Sequence, residues 1–129
     1  MNPTDRKYSK EHEWVKLEEG TTALVGITHY AQDQLGDVVF LDLPSLGSRL
    51  EQFGKFGEIE SVKAVNDLFS PVSGELLEIN QDAVDNPEVV NEDPYGNGWL
   101  LRVNLSDPSE LDGLLTAGEY EELLAESPE

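Results

Sequence analysis

Apolar positions along the chain fall in short runs broken by turn-forming residues, a spacing that predicts strands over most of its length. Tyr8 to Leu17, with Trp14 and Val15, and Thr21 to Ile27, rich in Thr, Val and Ile, flank Glu18-Glu19-Gly20 and predict a hairpin. The period then changes. Thr28 is an N-cap residue, Ala31 and Leu35 are apolar and four apart, and Gly36 is a C-terminal stop, which predicts a short helix of about two turns. Asp37 to Leu43 predicts a strand ended by Pro44, with turn residues in Ser45-Leu46-Gly47-Ser48. Gly54 and Gly57 around Lys55-Phe56 predict a bulge or a close backbone approach in a curved sheet.

Strand-like Gly57 to Ser61 and Asp67 to Phe69 leave Val62 to Asn66 as a reversal, with Lys63 near its tip. Glu75 to Asn80 predicts another strand. Asp82 to Gly98 carries Asn86-Pro87, Asp93-Pro94 and Gly96-Asn97-Gly98, which predict a long loop with one helical turn near Glu88-Val89-Val90. Trp99 to Leu105 predicts a last, buried strand. Asp107-Pro108-Ser109-Glu110 and Thr116-Ala117-Gly118-Glu119 each begin as a capping box, so two C-terminal helices should lay their leucines over an open end or edge of the sheets. The sum is a mainly β, antiparallel architecture, a small barrel or flattened sandwich with short peripheral helices. One domain is expected over residues 1–129, with 1–6 a loose N-terminal arm and 125–129 a frayed tail.

Composition narrows the partners more than the fold. A chain of 129 residues buries a core without disulfides or a structural metal, and this one has no Cys. The formal charge of -19 makes the surface strongly acidic, which disfavours nucleic acid and anionic membrane and favours basic protein partners, or serves only to keep a monomer soluble. No apolar run reaches the length of a membrane span, and Met1-Asn2-Pro3-Thr4-Asp5-Arg6-Lys7 has neither a signal-peptide core nor transit-peptide character. A cytoplasmic protein is expected.

Three patterns bear on chemistry. Glu11-His12-Glu13, with His29 as the only other histidine, suggests an acid/base pair. Catalytic motifs are absent, and alternation along a strand would turn His12 away from both glutamates, so a packed or solvated histidine is the better reading. Asn91 to Asn97 concentrates oxygen ligands but lacks EF-hand spacing, as any tight Asx-Pro-Gly loop would, and no metal site is expected. Lys63 stands in a reversal without Gly or Pro, among apolar Val62, Ala64 and Val65, as if another surface docked there. On those residues alone a solvated turn lysine remains the default.

Context changes that default. Glu60-Ser61-Val62-Lys63-Ala64 followed by Ser70-Pro71-Val72-Ser73-Gly74-Glu75 resembles the lipoate-attachment region of the H proteins of the glycine cleavage system. The resemblance continues in order through Lys7-Tyr8-Ser9, His12-Glu13-Trp14-Val15, Gly26-Ile27-Thr28, Ala31-Gln32, Leu35-Gly36-Asp37, Pro94-Tyr95 and Gly98-Trp99, and spans Lys7 to about Leu124. Biotin carriers usually place their lysine between methionines, whereas Met1 is the only Met here, and Val62 replaces the Asp of acyltransferase lipoyl domains. Glu58 stands where the family would have a smaller residue.

The resemblance implies a barrel-sandwich hybrid like those of lipoyl and biotinyl carriers, and a non-catalytic carrier rather than an enzyme. It implies lipoate in amide linkage to Lys63, with Glu60, Ser61, Val62 and Ala64 as neighbours in the modification motif. Acylation would remove the lysine charge and make an arm on the order of 14 Å, from about ten bonds of roughly 1.3 to 1.5 Å advance each. The implied cargo is an aminomethyl group, carried as aminomethyl-dihydrolipoyl from a pyridoxal-phosphate glycine decarboxylase to a tetrahydrofolate-dependent aminomethyltransferase. Dihydrolipoamide dehydrogenase would reoxidise the arm, and a lipoate-attaching enzyme would install it. The loaded arm is expected to fold into a cleft lined by Glu11, Glu13 and Asp67, where its amine would meet a carboxylate. The alternatives are a lipoate or octanoate relay, an acidic protein-interaction module and, least favoured, a small His/carboxylate enzyme.

Overall fold

Strands with one apolar face must cover it, and in the computed structural model, which describes residues 2–126, two sheets cover each other. The strands are β1 (Lys7–Tyr8), β2 (Glu13–Leu17), β3 (Thr22–Ile27), β4 (Val38–Asp42), β5 (Arg49–Leu50), β6 (Lys55–Ser61), β7 (Val65–Phe69), β8 (Gly74–Ile79) and β9 (Leu101–Leu105). Six of them form one sheet in the order β1-β2-β3-β9-β8-β5, and the other three form β4-β6-β7. Every pairing is antiparallel. One apolar cluster draws on both sheets, with Val25, Ile27, Leu76 and Val103 from the first and Leu41, Ile59 and Leu68 from the second. The fold is thus mainly β with short peripheral helices, and the two sheets stay separate rather than closing into one barrel.

The predicted first helix forms as α1 (His29–Leu35), with the Thr28 side chain accepting from the Ala31 N–H and Gly36 following at φ 79°. The glycine signal also holds. A register shift between Lys55 and Gly57 marks a bulge at Phe56, and a Cβ on Gly57 would lie 2.2 Å from the Asp42 carbonyl oxygen. Gly57→Ala is therefore expected to destabilise the protein by about 1–3 kcal/mol, because backbone rather than a movable side chain blocks the space. A urea midpoint unchanged from wild type would contradict this.

Three expectations need correction. Tyr8 to Leu17 is not one strand, since Ser9 to His12 form a turn in which His12 takes φ 73°. The segment expected as a loop with one helical turn holds two short helices, α2 (Gln81–Asp85) and α3 (Glu88–Glu92), anchored by fully buried Ala83 and Val90 and separated by Asn86-Pro87. Of the two C-terminal helices, the first is a 3₁₀ turn over Pro108–Gly113. Its Glu110 does not return to a cap, because both carboxylate oxygens accept from Ser73, one from the backbone N–H and one from the hydroxyl, each at 2.7 Å.

The second forms as α4 (Ala117–Glu126), and its capping box closes: the Thr116 N–H donates to Glu119 at 3.0 Å and the Glu119 N–H to Thr116 Oγ1 at 3.2 Å. It covers the β1 edge, where Tyr120 stacks on Tyr8 with ring centroids 4.9 Å apart beside buried Trp14. Where a loose arm is expected over 1–6, Asn2, Pro3 and Arg6 lie against this cluster, while Thr4 and Asp5 are exposed. Asn2 is buried, the Tyr8 hydroxyl donates to the Pro3 carbonyl, and the Arg6 guanidinium sits 4.6 Å from the Trp14 ring centroid. Of the expected frayed tail, Ala125 and Glu126 belong to α4 and residues 127–129 lie outside the described residues.

Candidate functional site

The β6–β7 hairpin carries Lys63 at its tip, and the reversal is tighter than the sequence predicts. Val62, Lys63 and Ala64 alone link the strands, with Glu60 paired to Val65 and the Ser61 N–H donating to the Ala64 carbonyl at 2.8 Å. The absence of Gly and Pro has a local explanation. Buried Ser61 Oγ accepts from the N–H groups of Lys63 and Ala64, each at 3.2 Å, so a side chain supplies the acceptor for the turn. The Val62 N–H donates to the Asp37 carbonyl at 3.0 Å, tying the tip to the end of α1. Asn91 of α3 fixes the same junction: its amide donates to Gly36 O at 2.8 Å and its carbonyl accepts from the Val38 N–H at 2.9 Å. That occupies a side chain that otherwise suggested a calcium ligand.

Lys63 borders a concavity of ≈ 500 Å³. Its walls include apolar Ile27, Leu35, Ile59 and Leu68, and its polar groups include Glu11, Glu13 and Asp67. Gly36 stands beside the lysine stem, where a Cβ would lie 3.6 Å from Lys63 Cε. His12 lines the same space, contrary to the expectation from strand alternation, because the turn at Ser9 to His12 breaks that alternation. Its Nδ1 lies 2.7 Å from the Tyr120 hydroxyl and its ring packs on Tyr30, with burial holding its pKa below the usual value against the charge of Glu11. His29 has a different partner, Gln32 at 3.1 Å, so the two histidines do not form an acid/base pair.

The three acidic residues are not equivalent. Glu13 is only 2% exposed; one oxygen accepts from Ser9 Oγ at 2.8 Å and the other from the Phe69 N–H at 3.1 Å. It therefore bridges β2 of the larger sheet and β7 of the smaller one. Burial pushes its carboxyl up to about 8, against the lowering effect of those hydrogen bonds. Glu11 is exposed in the preceding turn. Asp67 is exposed too, and its carboxylate lies 3.2 Å from Lys55 Nζ, which also meets Glu58 at 2.8 Å. Those two partners, Glu58 first, raise the Lys55 pKa. Glu58 and Asp67 face each other across the strands, so a second acid sits beside one of the expected cleft acids.

Sequence reasoning did not find His12 or the apolar walls as parts of this concavity, nor Lys55 as the ion-pair partner of Asp67 at its edge. The walls come from ordinary core positions of β3, α1, β6 and β7, which no motif marks. Among the described residues no group of three or more His, Cys, Asp and Glu side chains is placed to hold a metal ion, and no helix is long and apolar enough to cross a membrane.

Comparison with known proteins covers nearly the whole chain. The family model described as Glycine cleavage H-protein matches residues 6–127. The chain is 55% identical to the glycine cleavage system H protein of Symbiobacterium thermophilum, with 92% of each chain covered. It is 49% identical to that of Carboxydothermus hydrogenoformans, covering 98% of this chain and 97% of the relative. The crystal structure of the glycine cleavage system H protein from Mycobacterium marinum superposes with a TM-score of 0.84 at 39% identity, covering 97% of this chain and 98% of that one. The chain belongs to the glycine cleavage H-protein family.

Proposed function

We propose that this protein is a lipoyl carrier of the glycine cleavage system: it presents lipoate in amide linkage on Lys63, passes an aminomethyl group from glycine decarboxylase to aminomethyltransferase, and is reoxidised by dihydrolipoamide dehydrogenase. The observation that carries the reading is the exposed amine of Lys63 on a side-chain-braced hairpin tip, bordering an apolar-walled cleft with three acidic residues. The residues fit the group. A lipoyl chain is apolar along its length, as are the walls formed by Ile27, Leu35, Ile59 and Leu68. When bound, its dithiolane supplies a reversible disulfide able to take up an aminomethyl group on sulfur.

The chain's own contribution is positioning, shelter and charge. Ser61 sets the direction in which Lys63 leaves the hairpin, and the cleft keeps bulk water from a hydrolysable cargo. Glu13, with its carboxyl raised to about 8, is mostly protonated at neutral pH. An ammonium entering the cleft would draw that proton off and leave a carboxylate to face it. Glu11 and Asp67, both exposed, add negative potential at the mouth, and Asp67 would have to share its carboxylate with Lys55.

Intact mass of the protein isolated from its native host tests the attachment, with a lipoyl adduct on Lys63 as the expected result. Glycine-bicarbonate exchange by the purified decarboxylase then tests the role. The lipoylated protein is expected to support exchange at rates the unmodified protein does not reach. A protein that carries lipoate but fails to support exchange would instead be a relay of lipoate to other complexes.

A further inference from the structure

Apart from Asp67, which also lines the cleft, the outer face of the β4-β6-β7 sheet carries side chains that neither the core nor the cleft uses. Phe40, Glu60 and Val65 stand in one cross-strand row beside the tip, and Asp42, Glu58 and Asp67 stand in the next. Phe40 reaches this face through a bulge. The register moves from Val38 opposite Ser61 to Phe40 opposite Glu60, which leaves Val39 as the extra residue. Simple alternation from buried Val38 would have turned Phe40 inward; instead it is 54% exposed, in the same cross-strand row as Val65 at 57%, with Glu60 between them. The same bulge lets both Val38 and Leu41 face the core, and it leaves Phe40 on the outer face without a partner in either apolar cluster.

The second row is equally poor as a design for stability. Three carboxylates stand opposite one another across three strands, and like charges so placed repel. Lys55 reaches Glu58 and Asp67, but among the described residues no cation lies within ion-pair distance of Asp42 or Glu60. Two exposed apolar side chains on either side of Glu60, next to a second acidic row, invite a protein surface that offers apolar contacts together with basic groups.

Resting on the carrier reading, we propose that this face, with Phe40 and Val65 as apolar anchors on either side of Glu60 and Asp42 as a second charge in the adjoining row, docks the enzyme that acylates Lys63. Reach selects that occupant. An unmodified lysine extends only about 6 Å from its Cα, so the acylating enzyme must meet the residues flanking the tip. Enzymes that act at the end of a completed arm work about 14 Å away and do not need that contact. In the step served, neutral Nζ attacks the carbonyl carbon of an activated acyl donor, an acyl adenylate. The N–C bond forms, the C–O bond to phosphate breaks, AMP leaves with the electron pair, and one proton passes from Nζ to water.

The test is steady-state acylation of the full-length unmodified protein by an ATP-dependent lipoate-attaching enzyme supplied with lipoate and magnesium, read by intact mass. Phe40→Thr/Val65→Thr keeps strand-forming side chains while removing the apolar anchors. It is expected to raise the KM for the carrier by roughly tenfold to a hundredfold with kcat unchanged. Asp42→Asn/Glu60→Gln is expected to flatten the salt dependence of kcat/KM. Leu46→Ser, at an exposed position remote in sequence from the face, is expected to behave as wild type. Acetylation of Lys63 by a small activated ester should be equally fast in all of these proteins.

Wild-type KM in the Phe40/Val65 variant, an equal loss in Leu46→Ser, or slowed small-ester acetylation would each overturn the docking face and leave the carrier reading standing. Failure of the wild-type protein to be acylated on Lys63 would remove the carrier reading, and the docking face with it. Sedimentation at tens of micromolar is expected to show a monomer. A dimer dissociated by Phe40→Thr/Val65→Thr would assign the face to a second copy of the chain and overturn the proposal.

Discussion

Lys63→Arg is expected to abolish the lipoyl adduct completely and to reduce support of glycine-bicarbonate exchange to the level of buffer. An arginine keeps the positive charge and the length, but its guanidinium stays protonated and offers no nucleophilic amine. The fold should not notice the change. The Lys63 side chain is exposed, and the contact that shapes the tip is made by its backbone N–H to Ser61 Oγ at 3.2 Å, which any residue but proline retains. Stability is therefore expected to stay within about 0.5 kcal/mol of wild type. Tryptic mass mapping of protein expressed in the native host makes the comparison. An adduct persisting in the variant would place the anchor on another lysine.

The second large effect belongs to Glu13, and it separates the group's structural role from its charge. Glu13→Ala leaves the Ser9 hydroxyl and the Phe69 N–H without their acceptor and opens a cavity between the sheets. A loss of about 3–5 kcal/mol is expected at pH 5. Glu13→Gln keeps the shape and an acceptor but cannot ionise. The carboxyl is raised from 4.5 to about 8 in the folded protein, so between those values the native state holds a proton that the unfolded chain releases. Its stabilising contribution is full below about pH 4.5 and declines as pH rises toward 8. Glu13→Gln lacks that decline, so its urea midpoint relative to wild type should climb between pH 5 and pH 8. A difference independent of pH would mean that Glu13 titrates as an ordinary carboxylate. Comparing the two proteins at each pH cancels the contribution of the remaining acidic residues.

Features encoded within a few residues were legible in the sequence. Thr28 and Gly36 delimit α1, Thr116 and Glu119 close the α4 cap, and Gly57 marks a backbone approach. The hairpin with Lys63 was legible for the same reason, although its reversal is shorter than predicted. What escaped depends on partners far apart in the chain. Glu13 meets Phe69 across 56 positions, and Glu110 leaves its expected cap for Ser73, 37 positions away. Lys55 beside Asp67 follows from strand register, which composition does not report. His12 was misplaced because a non-glycine residue at φ 73° inside an apparently continuous strand has no sequence signature. The two helices after β8 were underestimated since five-residue helices depend on single buried anchors, Ala83 and Val90, more than on a repeating pattern.

The bracing of the tip bears on how an arm would search for its targets. Val62 is bonded to Asp37, and Asn91 locks the adjoining Gly36 and Val38, so the hairpin end is referenced to α1 and α3 rather than free to sway. An arm on Lys63 would then turn about a stationary pivot. One reactive sulfur confined to a hemisphere about 14 Å in radius corresponds to roughly 0.3 M. Loosening the pivot would spread the same sulfur through a larger volume and dilute it at every partner. Asn91, which contacts neither lysine nor cargo, would in that way set the concentration at which the carrier's chemistry takes place.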